Sequence, residues 1–282
     1  MRLAGILFCM LLMAFCAGCG SGGQCAEIPE KLPVTAEPAA AISEMLLHTD
    51  ETLQIRIDPH IPWEPGAWLQ DAADSQVLAR TMVQTVAWSR EQDILRVQAS
   101  YAKPQAILRK EKQKLTESAK AWCASTAGEP PEIRVLLAHD LLCRSCQYDD
   151  TAPDCHAAAG ALFGHSAACD GYAEGFALLL ETAGIPVRIV TGIACRQDGA
   201  AVSHAWNLVQ ISGCWYHVDC TWDDTGSEPD HSFFLLDDAQ AGRTHIWDAK
   251  KYPPAQGGGY RYEAIAAEMA SGIRKAADGY TG

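Results

Sequence analysis

The sequence predicts an α+β fold in which one buried helix packs against an antiparallel sheet, preceded by a smaller α+β segment. Three observations predict it. Tyr172, Phe176, Leu179, Leu180 and Ala183 recur at three- and four-residue spacing, an apolar helical stripe that Gly184-Ile185-Pro186 terminates. Residues 203–211 and 214–222 are rich in aromatic and β-branched types, and only Ser212-Gly213 separates them, which is a hairpin signature. Residues 187–191 and 232–236 supply further strands, so the helix has a sheet to bury its stripe against.

The chain has 282 residues, enough for one large domain or two modest ones. Its 48% hydrophobic content suffices for a core, and 20% charged residues argue against disorder. Residues 1–19 read as a targeting segment: Arg2 precedes an apolar run over 3–15 that is short for a membrane span. Cys16-Ala17-Gly18-Cys19 resembles a bacterial lipobox with Cys19 lipidated. Cys16 replaces the usual leucine, which leaves ordinary signal cleavage as the alternative. The expected location is the cell envelope, with the membrane reached only through a lipid at Cys19.

Residues 20–43 read as a linker, 44–103 as a small α+β subdomain and 104–282 as the larger domain. Within the small subdomain 53–58 and 94–101 alternate like strands, and 68–88 reads as helical. Residues 104–124 form a helix with Lys and Glu on a solvated face, and a second helix starts at Pro130-Pro131 and runs to about Tyr148. Residues 149–153 are a loop, 245–248 a tail, and 262–275 a last helix. The formal net charge of −13 becomes −14 once residues 1–18 are removed. An acidic chain without a basic cluster excludes nucleic acid and anionic lipid surfaces as partners. There is no internal repeat and no Gly-rich phosphate loop.

Of the 12 cysteines, Cys9 and Cys16 leave with the signal. With Cys19 and Cys169 set aside, eight remain at 25, 123, 143, 146, 155, 195, 214 and 220. An even number in an exported chain fits disulfides or buried thiols. A zinc site built on Cys143, Cys146, Cys155 and His156 is the lesser reading, because Cys143 and Cys146 fall on an apolar helix face with Val135, Leu136 and Leu142.

The chemistry concentrates in three residues. Cys169 lies at the start of the buried helix, where free backbone N–H groups and the macrodipole favour a thiolate. If Ile211 and Cys214 pair across the turn, Asp219 faces Trp206, and His204 and Asp219 become diagonal neighbours on one face. A one-residue slip would separate them. His217, two residues before Asp219, reads as a packing residue. His139, His156, His165, His231 and His245 have no partner spacing that singles them out.

Cys169-x-Gly171-Tyr172-Ala173, His204-Ala205-Trp206-Asn207 and Gly213-x-Trp215-Tyr216-x-Val218-Asp219-x-Thr221-Trp222-Asp223-Asp224 together resemble the transglutaminase-like superfamily. The resemblance covers roughly residues 135–250. It implies a papain-like fold with Cys169, His204 and Asp219 as the catalytic residues. Cys220 departs from the pattern, standing where bacterial members usually carry proline. Tyr148-Asp149-Asp150 matches a family position near the site or caps a helix, and residues 245–248 resemble a tail that closes over the sheet. Tyr148, Trp206 and Trp222 are candidate cleft residues. The implied function is thiol-dependent acyl transfer on amide bonds of a peptide or protein substrate, with hydrolysis favoured over transamidation and no cofactor. The alternative is a non-catalytic peptide- or cell-wall-binding module using the same cleft.

Overall fold

The computed structural model describes residues 32–278, apart from positions 197, 227 and 258. The targeting segment 1–19, the lipidation position Cys19, and Cys9, Cys16 and Cys25 lie outside the described residues. The chain forms two compact units that divide between Lys110 and Glu111.

The first unit runs β1 (Val34–Thr35), α1 (Pro38–Leu47), β2 (Thr52–Ile57), α2 (Pro65–Ser75), α3 (Val77–Met82), β3 (Val83–Glu91) and β4 (Ile94–Tyr101). Its sheet has the order β1-β2-β4-β3, antiparallel except for β1 beside β2. Pro38 and Pro65 open α1 and α2, where a missing N–H costs nothing. Ile42, Met45 and Leu46 of α1 and Leu69 and Ala72 of α2 are buried with Ile55, Ile57, Leu95 and Val97 of the strands.

Two expectations are corrected in this unit. The stretch read as linker up to residue 43 holds β1 and the first half of α1, because Ile42 is fully buried and supplies core that its Ala- and Pro-rich neighbours conceal. The helix expected over 68–88 ends at Met82. From Val83 the β-branched and aromatic residues Val83, Thr85, Val86 and Trp88 pair with β4 instead. The division between the two units falls within the next helix, α4 (Gln105–Ser125), after Lys110.

The second unit continues with α5 (Pro131–Ser145), β5 (Gln147–Tyr148), a π-helical turn at Gly160–Gly164, β6 (Ser166–Ala167) and α6 (Cys169–Thr182). Then come β7 (Val187–Cys195), β8 (Ala201–Ile211), β9 (Cys214–Val218), α7 (Cys220–Asp223), β10 (Phe234–Leu236), α8 (Asp238–Ala241), β11 (His245–Trp247) and α9 (Tyr262–Asp278). Five strands form an antiparallel sheet in the order β10-β9-β8-β7-β11. Helix α6 packs on β7 and β8, and every residue from Gly171 to Leu180 is buried. The fold is thus α+β, with the central helix against an antiparallel sheet.

Local chemistry sets both ends of α6. At its start a Cβ on Gly171 would stand 2.2 Å from the Cys155 carbonyl oxygen, so only glycine admits that loop. The same carbonyl accepts the Ala168 N–H at 2.9 Å, which holds the chain just ahead of Cys169. At its end Gly184 adopts φ +72°, and the Ile185 N–H returns to the Leu180 carbonyl. The hairpin turn has positive φ at both Ser212 (51°) and Gly213 (83°), which suits the twist of the flanking strands. Its register pairs Ile211 with Cys214 and Asn207 with Val218, as the turn length dictates.

The segment expected to close over the sheet does something else. Residues His245–Trp247 form β11, which pairs with β7 through Ile246 and Ile193 and extends the sheet at its edge. The approach is close because Gly192 lies opposite Trp247; a Cβ there would be 2.2 Å from the Ile246 carbonyl oxygen. Among the described residues all eight cysteines are free thiols, and no helix is long and apolar enough to cross a membrane.

Candidate active site

Cys169 is the first residue of α6 and is half-buried, so its sulfur can be reached from solvent. His204 lies within β8, four residues into the strand, and Asp219 follows the last residue of β9. The hairpin register carries these two side chains together, and His204 Nε2 is 2.7 Å from Asp219 Oδ2. The same diagonal relation recurs one step along, where Trp206 Nε1 donates to His217 Nδ1 at 2.9 Å.

Asp219 is 2% exposed, yet its carboxylate is fully satisfied. Oδ2 accepts from His204 and from His245 Nε2 at 3.0 Å, while Oδ1 accepts the Thr221 and Trp222 N–H groups at 3.0 and 3.2 Å and so caps α7. An ionised carboxylate only accepts, so both imidazoles present an N–H to it. For His204 that puts a proton on Nε2, the nitrogen that faces Asp219. Thr244 Oγ1 bonds His245 Nδ1 at 2.9 Å and holds that ring in place.

The electrostatics follow from this packing. Burial alone would lower the His204 pKa, but the Asp219 charge and hydrogen bond, joined by the nearby Cys169 sulfur, raise it to about 10. Burial pushes Asp219 up, and the His204 charge and hydrogen bond, joined by His245, hold it well below the usual carboxylate range. Both shifts favour the charged forms, an imidazolium beside a carboxylate.

The other candidate residues separate into rim and core. Tyr148 is exposed and lies near enough to Cys169 for that sulfur to raise its pKa, after partial burial. Trp222 is half-buried, with its ring 5.5 Å from that of His204 and 4.8 Å from that of His245. Trp206 is not a cleft residue. It is 2% exposed and packs with Val190, Leu208 and Ala255, because the middle of a five-stranded sheet leaves its central strand no route to solvent. His217 is structural, held between Trp206 and Asp238 Oδ1 at 2.9 Å, and burial lowers its pKa.

His245 was not visible from spacing, since its place beside Asp219 depends on β11 pairing with β7. Nor does the structure gather Cys143, Cys146, Cys155 and His156 as a zinc set. Cys146 contacts the Gln147 carbonyl, Cys155 lies under the start of α6, and His156 pairs with Asp170 at 2.9 Å. His204, Asp219 and His245 bring their ligand atoms within 4.8 Å of one another. Both rings, however, aim Nε2 at one carboxylate oxygen, which is the geometry of donors around an acceptor.

Comparison with known proteins adds a family match over part of the chain. Residues 113–220 match the model of the transglutaminase-like superfamily, a span that includes Cys169, His204 and Asp219. The crystal structure of a TGase is similar at 15% identity, with a TM-score of 0.34 over 64% of this chain and 53% of that one. The periplasmic domain of TgpA from Pseudomonas aeruginosa is similar at 21% identity, with a TM-score of 0.31 over 46% of this chain and 54% of that one. The chain thus spans about half the length of these two structures. No curated protein matches the sequence.

Proposed function

We propose that this chain, which belongs to the transglutaminase-like superfamily through residues 113–220, is a thiol-dependent acyl-transfer enzyme acting on amide bonds of peptides or proteins. Cys169 is the nucleophile, His204 the acid and base, and Asp219 the residue that orients the imidazole. The observation that carries the reading is the His204 ring, held at 2.7 Å by Asp219 and close enough to the Cys169 sulfur for that sulfur to raise its pKa.

The reaction starts from a thiolate–imidazolium pair. The sulfur attacks the amide carbonyl carbon, and the electron pair of the C=O bond moves to oxygen. A backbone N–H at the start of α6 faces that developing oxyanion. When the C–N bond breaks, His204 gives its proton to the leaving amine and a thioester to Cys169 remains. Neutral His204 then takes a proton from the acceptor as it attacks the thioester carbon, and the C–S bond breaks, its electron pair returning to the Cys169 sulfur beside protonated His204. Water gives a carboxylic acid, and an amine gives a new amide. Hydrolysis is the favoured outcome, because the half-buried Cys169 is open to water.

We place the enzyme in the cell envelope, exported by residues 1–19 and anchored through Cys19, where its substrate is a peptide or protein. Incubating the protein with casein and a labelled primary amine tests the activity. The expected result is release of peptides exceeding incorporation of label, with neither in Cys169→Ala. Equal signals from wild type and Cys169→Ala would leave a binding module without a reaction.

A further inference from the structure

We infer that His139, Cys143, Cys220 and Asp223 form a tetrahedral site for a zinc ion in the second unit. Helix α5 supplies His139 and Cys143 four residues apart, hence on one face, and α7 supplies Cys220 and Asp223 three residues apart. The two helices pack together, and the four residues are 0%, 4%, 3% and 0% exposed. Buried sulfur, imidazole and carboxylate from two elements converge where an apolar seam would be the simpler solution.

The distances suit an ion. His139 Nε2 is 3.7 Å from Cys143 Sγ and 3.1 Å from Asp223 Oδ2. The Cys220 sulfur lies within 4.8 Å of both His139 Nε2 and Cys143 Sγ. Zinc bonds of 2.0–2.3 Å in a tetrahedron put neighbouring donors roughly 3.3–3.8 Å apart. The Cys220 sulfur has to close in, and the Asp223 carboxylate has to move toward the two sulfurs. Two thiolates, one imidazole and one carboxylate are the donor types that zinc prefers.

The surroundings are those of a ligand histidine. The His139 ring bonds Asp140 Oδ1 through Nδ1 at 3.0 Å, and Nε2, which faces the two sulfurs, would exchange its 3.1 Å hydrogen bond to Asp223 Oδ2 for the metal. Asp140 is itself held by His231 Nε2 at 2.8 Å and by Arg144 at 3.2 Å. Asp223 is aimed by the Phe233 N–H, at 3.0 Å from Oδ1. Binding would replace two thiol protons, released to solvent, by two zinc–sulfur bonds. It would also clamp α5 to the helix whose N-terminus Asp219 caps.

The test is titration of the full-length reduced protein, its metal first removed with chelator, with Co2+ and then Zn2+, alongside metal analysis of protein purified without chelator. The expected result is one equivalent of zinc, and a thiolate-to-cobalt charge-transfer band that zinc abolishes. Cys143→Ser and Cys220→Ser should each remove the band, while Cys169→Ala keeps it. A band absent from folded wild type overturns the site. So does one that survives both serine variants but disappears in Cys169→Ala, which would place the ion at the other thiol. A disulfide between Cys143 and Cys220 in the protein as purified, shown by a non-reduced peptide map, also overturns it.

Discussion

Replacing Cys169 by alanine is expected to lower turnover of a casein-like substrate by on the order of 10⁴- to 10⁶-fold while leaving the fold intact. In the proposed reaction the sulfur forms the covalent bond to the acyl carbon. Cys169 is half-buried at a helix start, so loss of one atom there should cost about 1 kcal/mol or less of stability. His204→Ala should fall to a similar level, since a thiol without its base is a poor nucleophile. The double variant should be no worse than either single one, because residues that act as a unit do not add. Rates of the three variants on one substrate, with thermal unfolding measured beside them, check this. A double variant slower by the product of the single effects would contradict a shared step.

Asp219→Asn is expected to slow the reaction roughly 10²- to 10⁴-fold and to change its pH dependence. Asp219 is the main group raising His204 to about 10, so wild-type activity should persist through neutral and mildly alkaline pH and fall near pH 10. Without that carboxylate the alkaline limb should move down toward the ordinary imidazole value of 6.5. Stability follows the same linkage. The folded pKa of His204 is raised, so its contribution is whole below pH 6.5 and is lost as pH climbs through about 10. The folded pKa of Asp219 is depressed, so its contribution is whole above pH 3.8 and is lost on further acidification. Both are therefore whole between pH 3.8 and 6.5 in wild type. Denaturant midpoints across pH, for wild type and Asp219→Asn, should diverge most within that window.

What could be read from the sequence is what local geometry determines. A two-residue turn with positive φ at both positions allows one register, and that register puts His204 beside Asp219. The stripe on α6 and its Gly184 stop are equally local. What could not be read depends on distant pairing. His245 reaches Asp219 only because β11 adds to the far side of β7, and His139 meets Asp223 across 84 residues of chain. Trp206 looked like a cleft residue because aromatic side chains suit both roles, and only its central strand decides for the core. The change from helix to strand at Val83 was hidden because Gln76 to Met82 had already set a helical pattern.

In the proposed mechanism His204, held by Asp219, activates the Cys169 sulfur as a nucleophile. The direct measurement is the rate of Cys169 alkylation by iodoacetamide against pH, followed by mass spectrometry. Fast modification at mildly acidic pH, slowed in His204→Ala and absent in Cys169→Ala, is the predicted result. A Cys169 that reacts no faster than free cysteine across that range, in wild type and His204→Ala alike, would contradict it.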